Sequence, residues 1–347
     1  MSGLFDFAWP EGLIGRSSSW SDKRSPDQTM LHPPVASRRE VKLAARWRAL
    51  RLAVNEDGEV DAARAEPTRL LIKARPDAPD AVGLSSGAAS ALIRDAAGGV
   101  QRLKRCGYAE LGVGPRTGFV GRIGMMSIAE ALQECRMLAT FRAQGLCPAC
   151  TPESIEILAD PTAPFFKPHA FAAVRVRITS DVRADEWFLL ILTRALEAAG
   201  LAPPFFTIQD DERIALRAVA DALPVLEAAQ VLERVARLGR GLGGLMRAVH
   251  DAGLLRGRGS VWLGNDVVGP DLRLSAVDAD GGARPANSAG GGAMPRIEAA
   301  EYAAGFADCY SWGQPDWLAE PATVLCEAFW EGYRSAAAPN VAGSLEV

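Results

Sequence analysis

Apolar residues recur at helical spacing through 231–252. Leu232, Val235, Leu238, Leu242, Leu245 and Val249 fall on one face and predict a long amphipathic helix. The pattern then changes to two short apolar runs, 261–268 and 272–277, separated by the turn-forming pair Pro270-Asp271, which predicts a hairpin. Upstream, 127–144 places Ile128, Leu132, Cys135, Leu138 and Phe141 on one side and predicts a helix that stops at Gly145. The strongly apolar stretch 185–200 predicts a buried helix ending at Gly200. Further helices are expected over 212–227, 298–309 and 321–334, the last with Pro321 in its first turn.

Strand-like patterns concentrate in the first half of the chain. Segments 69–74, 100–106, 154–160 and 171–178 read as strands, 45–54 fits either helix or strand, and 84–97 reads as a small helix. The chain therefore divides into an N-terminal arm (1–40) rich in Ser, Pro, Trp and charge, a β-rich part (41–183), a helical part (184–340) and a short tail (341–347) set aside from the fold.

Composition narrows the partners. The chain has 347 residues, is 48% hydrophobic and 23% charged, and carries a net charge of -4, which argues against nucleic acid as the main partner. No apolar run approaches the roughly 18 residues of a membrane span, so no membrane partner is expected. The start lacks a basic segment and a long apolar core, which makes the cytoplasm the expected compartment. Six cysteines are few for the length; Cys147 and Cys150 have C-x-x-C spacing, with no second Cys or His pair near them in sequence, and read as two half-buried thiols at a helix end.

Four features carry candidate chemistry. Residues 108–118 hold a glycine-rich turn with Gly112 and Gly114, whose backbone N–H groups could approach a phosphate or simply make a turn. Glu134 lies beside the apolar stripe of its helix, where a carboxylate calls for a cationic or metal partner. Arg175 and Arg177 share one face of a strand and Arg183 follows, which fits either an ion-pair ladder or an anion site. Asn265 and Asp278 stand on either side of the predicted hairpin and offer the hard oxygen ligands that magnesium takes. His250, at the end of the long helix, reads as a satisfied structural histidine with no evident partner in the sequence.

Taken together, the glycine-rich turn, the helix with its central Glu134, the strand bearing Arg175 and Arg177, the long helix, Asn265 and Asp278 resemble the selenoprotein-O family of kinase-like AMP transferases over about 108–282. More distantly the chain is similar to aminoglycoside phosphotransferases. The resemblance implies an α+β, protein-kinase-like bilobal fold, with a small β-rich N-lobe and a larger helical C-lobe. It also implies ATP and Mg2+ as cofactors, and transfer of AMP or phosphate to a hydroxyl of a protein, peptide or small molecule. By motif position Glu134 resembles the helix glutamate that pairs with a strand lysine, Arg177 and Arg183 the phosphate-contacting arginines, and Asn265 and Asp278 the metal ligands. The chain departs from the family twice. Leu111 stands at the lysine position, where Lys104 or Lys73 would substitute only in a shifted register. Gly264 stands where the family keeps its catalytic-base aspartate, and Ser260 of Arg258-Gly259-Ser260 where kinases keep theirs; Asp266 and Asp280 are close enough in sequence to stand in as catalytic groups. A binding module without turnover and a small-molecule phosphotransferase remain open alternatives.

Overall fold

The computed structural model describes residues 40–73, 79–86, 90–95, 99–107, 125–162, 171–179, 183–184, 188, 228–256, 265–268, 274–277, 293–311 and 319–335. Among the described residues the fold is α+β, with a largely antiparallel sheet and four α-helices. In chain order the elements are β1 (Glu40–Ala53), β2 (Glu66–Lys73), β3 (Ala81–Ser85), β4 (Ala91–Arg94), β5 (Val100–Lys104), β6 (Met126–Ser127), α1 (Ile128–Ala143), β7 (Cys150–Leu158), β8 (Phe171–Ile178), α2 (Ala228–Asp251), β9 (Asp266–Val268), β10 (Leu274–Ala276), α3 (Ala293–Ser311) and α4 (Ala319–Arg334).

The sheet curls back on itself. Strands β3, β4, β5, β8 and β7 are neighbours in that order, and both ends of the series dock on β1: β3 pairs with its first part (Leu43↔Ala81) and β7 with its last (Ala49↔Leu158). β2 takes the other edge of β1, whose register shifts between Ala45 and Trp47. Strand β8 alternates between two buried faces, as a pleated strand must. Phe171 and Ala173 join Leu43, Trp47, Leu70, Leu103 and Leu158 in one cluster. Ala172, Val174 and Val176 face a second cluster built with α1, α2 and α4, containing Leu138, Phe141, Val235, Leu238, Leu325 and Phe329. Burial on both sides explains why β8 reads as a near-continuous apolar run.

Two sequence expectations change here. The expected small helix over 84–97 is instead the strand pair β3 and β4, registered by Leu84↔Leu92 and Ser85↔Ala91. Alanine-rich composition favours helix locally, but pairing of β4 with β5 (Ala91↔Leu103, Ile93↔Gln101) buries Ala91, Leu92 and Ile93, and tertiary packing overrides propensity. Strand β7 begins four residues before its expected start, because the backbone continues in register with β8 past a bulge between Pro152 and Ser154. The ambiguous 45–54 is strand, and α1, β8, α2 and α4 fall close to their expected bounds. No described helix is long and apolar enough to cross a membrane.

Helices α2 and α4 approach closely along glycines. A Cβ on Gly243 would overlap the Phe329 carbonyl oxygen and lie 2.7 Å from the Tyr333 nitrogen, whereas one on Gly244 would meet nothing within 4 Å. Gly243→Ala is therefore expected to lower stability by about 1–3 kcal/mol through overpacking. Gly244→Ala, one position on, should raise it by about 0.5–1 kcal/mol through helix propensity. Urea midpoints of the two variants check the pair; equal midpoints would show that α2 and α4 do not cross here.

Acid sensitivity also has a local source. Asp160, just after β7, accepts the Thr162 hydroxyl (2.6 Å) and N–H (2.9 Å) and the Arg48 N–H (3.1 Å). These bonds, led by the Thr162 hydroxyl, hold its carboxyl down at about 2. A folded-state value below the unfolded one adds stability at neutral pH that disappears as pH falls from about 4 towards 2. Asp160→Asn is expected to flatten the dependence of the thermal midpoint on pH over that window and to leave its slope above pH 5 unchanged.

Candidate functional site

The centre of the candidate site is a buried ion pair between sheet and helix. Helix α1 is fixed at its start by a capping box: the Ser127 hydroxyl accepts the Glu130 N–H (3.2 Å), and the Glu130 carboxylate accepts the Ser127 N–H (2.6 Å). It stops where Gly145 takes a φ of +72°, with its N–H on the Arg142 carbonyl (2.9 Å). That phase places Glu134 between Ala131 and Leu138 on the buried face, at 0% exposure. Its Oε1 accepts from the ammonium of Lys104, the last residue of β5, itself only 5% exposed. A carboxylate and an ammonium this deep are tolerated because each offsets the desolvation of the other.

Lys104 is thus the cation that Glu134 requires, at the end of β5; Leu111 lies outside the described residues. Lys73, the other candidate, ends β2, where its N–H bonds the Cys106 carbonyl (3.0 Å) and burial lowers its side-chain pKa. Gly112 and Gly114 lie outside the described residues.

The second half of the site is the hairpin β9–β10. The Asn265 carbonyl accepts from Arg256 Nη2 (3.0 Å) and from the Val277 N–H (3.2 Å), so its backbone is fixed immediately before β9. Arg183 bridges Val267 in the middle of β9. Strand β10 is tied to the α1–β7 connection by Ala276 N–H on the Leu146 carbonyl (3.0 Å) and Ala149 N–H on the Ser275 hydroxyl (3.2 Å). Through that connection the helix bearing Glu134 and the hairpin following Asn265 are mechanically joined. Asp278 and Asp280 lie outside the described residues, Asp278 one position beyond Val277 in the sequence.

Asp266 has a different place from the one expected of a catalytic group. It is 0% exposed, and both carboxylate oxygens accept from Arg256 Nη1 (2.8 and 3.0 Å), with the Tyr302 hydroxyl also donating to it. Burial raises its pKa, against the pull of Arg256 and Tyr302. A carboxylate so enclosed has no path to a substrate hydroxyl, and its geometry is that of an anchor for β9. The network continues: Glu298 accepts the Arg256 backbone N–H (3.1 Å) and contacts His250 Nε2 (2.8 Å), whose Nδ1 contacts the Tyr333 hydroxyl (2.8 Å). His250 therefore has two partners, on α3 and α4, that its sequence neighbourhood did not reveal.

The strand arginines separate. Arg177 is 62% exposed on its side chain and pairs with Glu153. It registers with Gln101, three residues before Lys104 on β5 and hence about 10 Å along the strand from it. The described geometry does not bring Arg177 together with Lys104 and Asn265, as a phosphate-contacting role beside them would require, but it does bring Arg183 to the hairpin. Arg175 pairs with Glu156, so both strand arginines have a carboxylate partner.

Cys147 in the α1–β7 connection and Cys150 at the start of β7 are fully rather than half buried. A hydrogen bond from Cys147 and nearby Arg102, Arg183 and Lys104 bring the Cys150 thiol down to about 7, and the same bond raises Cys147. Among the described residues no group of three or more His, Cys, Asp or Glu is placed to hold a metal ion. Compared with known proteins, the chain matches no family model and no curated protein.

Proposed function

We propose that this chain is a kinase-fold transferase that binds ATP with Mg2+ and moves AMP or phosphate onto a hydroxyl of a protein or peptide. The observation that carries the reading is the buried Lys104–Glu134 pair, formed by the last residue of a sheet strand and the helix that follows it. Kinases depend on such a lysine–glutamate pair to hold nucleotide phosphates. The order of a long helix, Asn265, a short hairpin and Asp278 supports it from the other side, as does a curled sheet followed in the chain by helices.

In this reading Lys104 and Arg183 would be the cations for phosphate, and Asn265 and Asp278 would hold the metal, which needs only one or two protein oxygens. When bound, Mg2+ neutralises charge that develops on the transferred group. Glu134 holds Lys104 in place, and the Arg256 contacts hold Asn265.

A reading without turnover is favoured by one observation: Asp266 is locked to Arg256 and Tyr302, and Ser260 and Gly264 stand where bases are expected. General-base help contributes about 10²–10⁴-fold, so its loss slows transfer without abolishing it. Incubation with ATP labelled at the α- or γ-phosphate, followed by intact mass, tests both readings. Mass gain with α-label means AMP transfer, and with γ-label alone phosphoryl transfer. Asp278→Ala is expected to lose magnesium-dependent nucleotide binding; no label and no ATP–magnesium thermal shift in the unaltered chain would sink the proposal.

A further inference from the structure

The Glu156 side chain is buried, yet it gathers two arginines at one end of the closed sheet. Its Oε1 accepts Arg51 Nε (3.1 Å), Arg51 Nη2 (2.8 Å) and Arg175 Nε (2.6 Å). Thr68 accepts a further bond from Arg51 Nη2 (3.3 Å), and Arg175 Nη1 donates to Gln101 Oε1 (3.0 Å). Among the described residues Arg51 Nη1 and Arg175 Nη2 then have no acceptor, so two guanidinium groups held on one shared oxygen each keep an unused terminal donor.

Both arginines line a cavity of about 550 Å³, together with Arg64, Glu66, Arg94, Asp95, Gln101 and Glu153. The lining comes from β1, β2 and the connection between them, and from β4, β5, β7 and β8, so the cavity is a mouth of the curled sheet, a location and size at which small-molecule sites occur. Two of its carboxylates have partners of their own. Glu153 accepts Gln101 Nε2 (2.6 Å) and pairs with Arg177, and Asp95 accepts the Gly99 N–H (2.8 Å) in its own turn. The lining arginines Arg51, Arg64, Arg94 and Arg175 stand against the carboxylates of Glu66, Asp95 and Glu153, and Arg51 and Arg175 share Glu156. Their side chains are already ordered, with Arg175 only 11% and Arg51 37% exposed, so little rotamer freedom remains to be lost on binding.

We infer that this sheet mouth is a binding site for a small oxyanion, carboxylate or phosphate in type, seated on Arg51 and Arg175. Planar guanidinium groups with paired N–H donors match such oxygens. The site is separate from Lys104 and Asn265 and needs neither nucleotide nor magnesium.

Isothermal titration with inorganic phosphate and with citrate, in 0.15 M salt and without magnesium or nucleotide, tests it. Saturable binding with a Kd below about 1 mM is expected for at least one probe. Arg175→Gln should weaken that binding at least about tenfold. Arg51→Gln, at the more exposed of the two arginines, should do the same and serves if Arg175→Gln fails to fold. Arg136→Gln, at an exposed arginine paired with Glu59 on the α1 surface, should change nothing. Phosphate preference would mark a phosphate-bearing ligand and citrate preference a carboxylate. No saturable binding of either, or equal affinity in the arginine variants and wild type, overturns the inference.

Discussion

Arg256→Ala is expected to lower folding stability by about 3–5 kcal/mol, a large share of what a typical domain has. The reason is the asymmetry of buried charge. Arg256 is 1% exposed and Asp266 0%, and removing the guanidinium leaves the carboxylate with the Tyr302 hydroxyl as its remaining side-chain partner. It also frees the Asn265 carbonyl from Nη2, so the loop before β9 loses an anchor. The double variant Arg256→Met with Asp266→Leu removes both charges and should recover much of that loss. Urea unfolding with unchanged slope distinguishes these cases. A single-variant loss below about 1 kcal/mol would show that the pair is not what holds β9 to the helical part.

How much of this was legible in the sequence depends on whether the signal was local. Helix α1 could be read because its phase, its Ser127–Glu130 box and Gly145 all point the same way, and β8 because burial on both faces leaves an unbroken apolar run. Glu134 advertised a partner because a carboxylate beside an apolar stripe must have one. The partner was not legible: Lys104 reaches it from thirty positions away, across a sheet-helix packing that no spacing rule encodes. The same holds for Asp266. Its neighbours in sequence, Asn265 and the hairpin, suggested chemistry, while the residues that determine its state, Arg256 and Tyr302, arrive from the segment after α2 and from α3. Strand β4 failed for the complementary reason, since its alanines carry a helical propensity that pairing with β5 outweighs.

Lys104 separates structure from function most sharply. Lys104→Met alone should cost about 3–5 kcal/mol, because Glu134 is left buried without its ammonium. It should also abolish detectable nucleotide binding or reduce label transfer by about 10²–10³-fold, the scale of losing one well-placed charge stabiliser. Those two losses are confounded in the single variant. In Lys104→Met with Glu134→Leu both charges go, apolar groups of similar volume fill the space between α1 and β5, and the urea midpoint should return close to wild type. Nucleotide response should not return with it, because phosphate binding needs the cation rather than the packing. Recovery of stability without recovery of an ATP–magnesium thermal shift would assign the pair a working role. Recovery of both would make Lys104 and Glu134 a purely structural bridge and remove the observation on which the transferase reading stands.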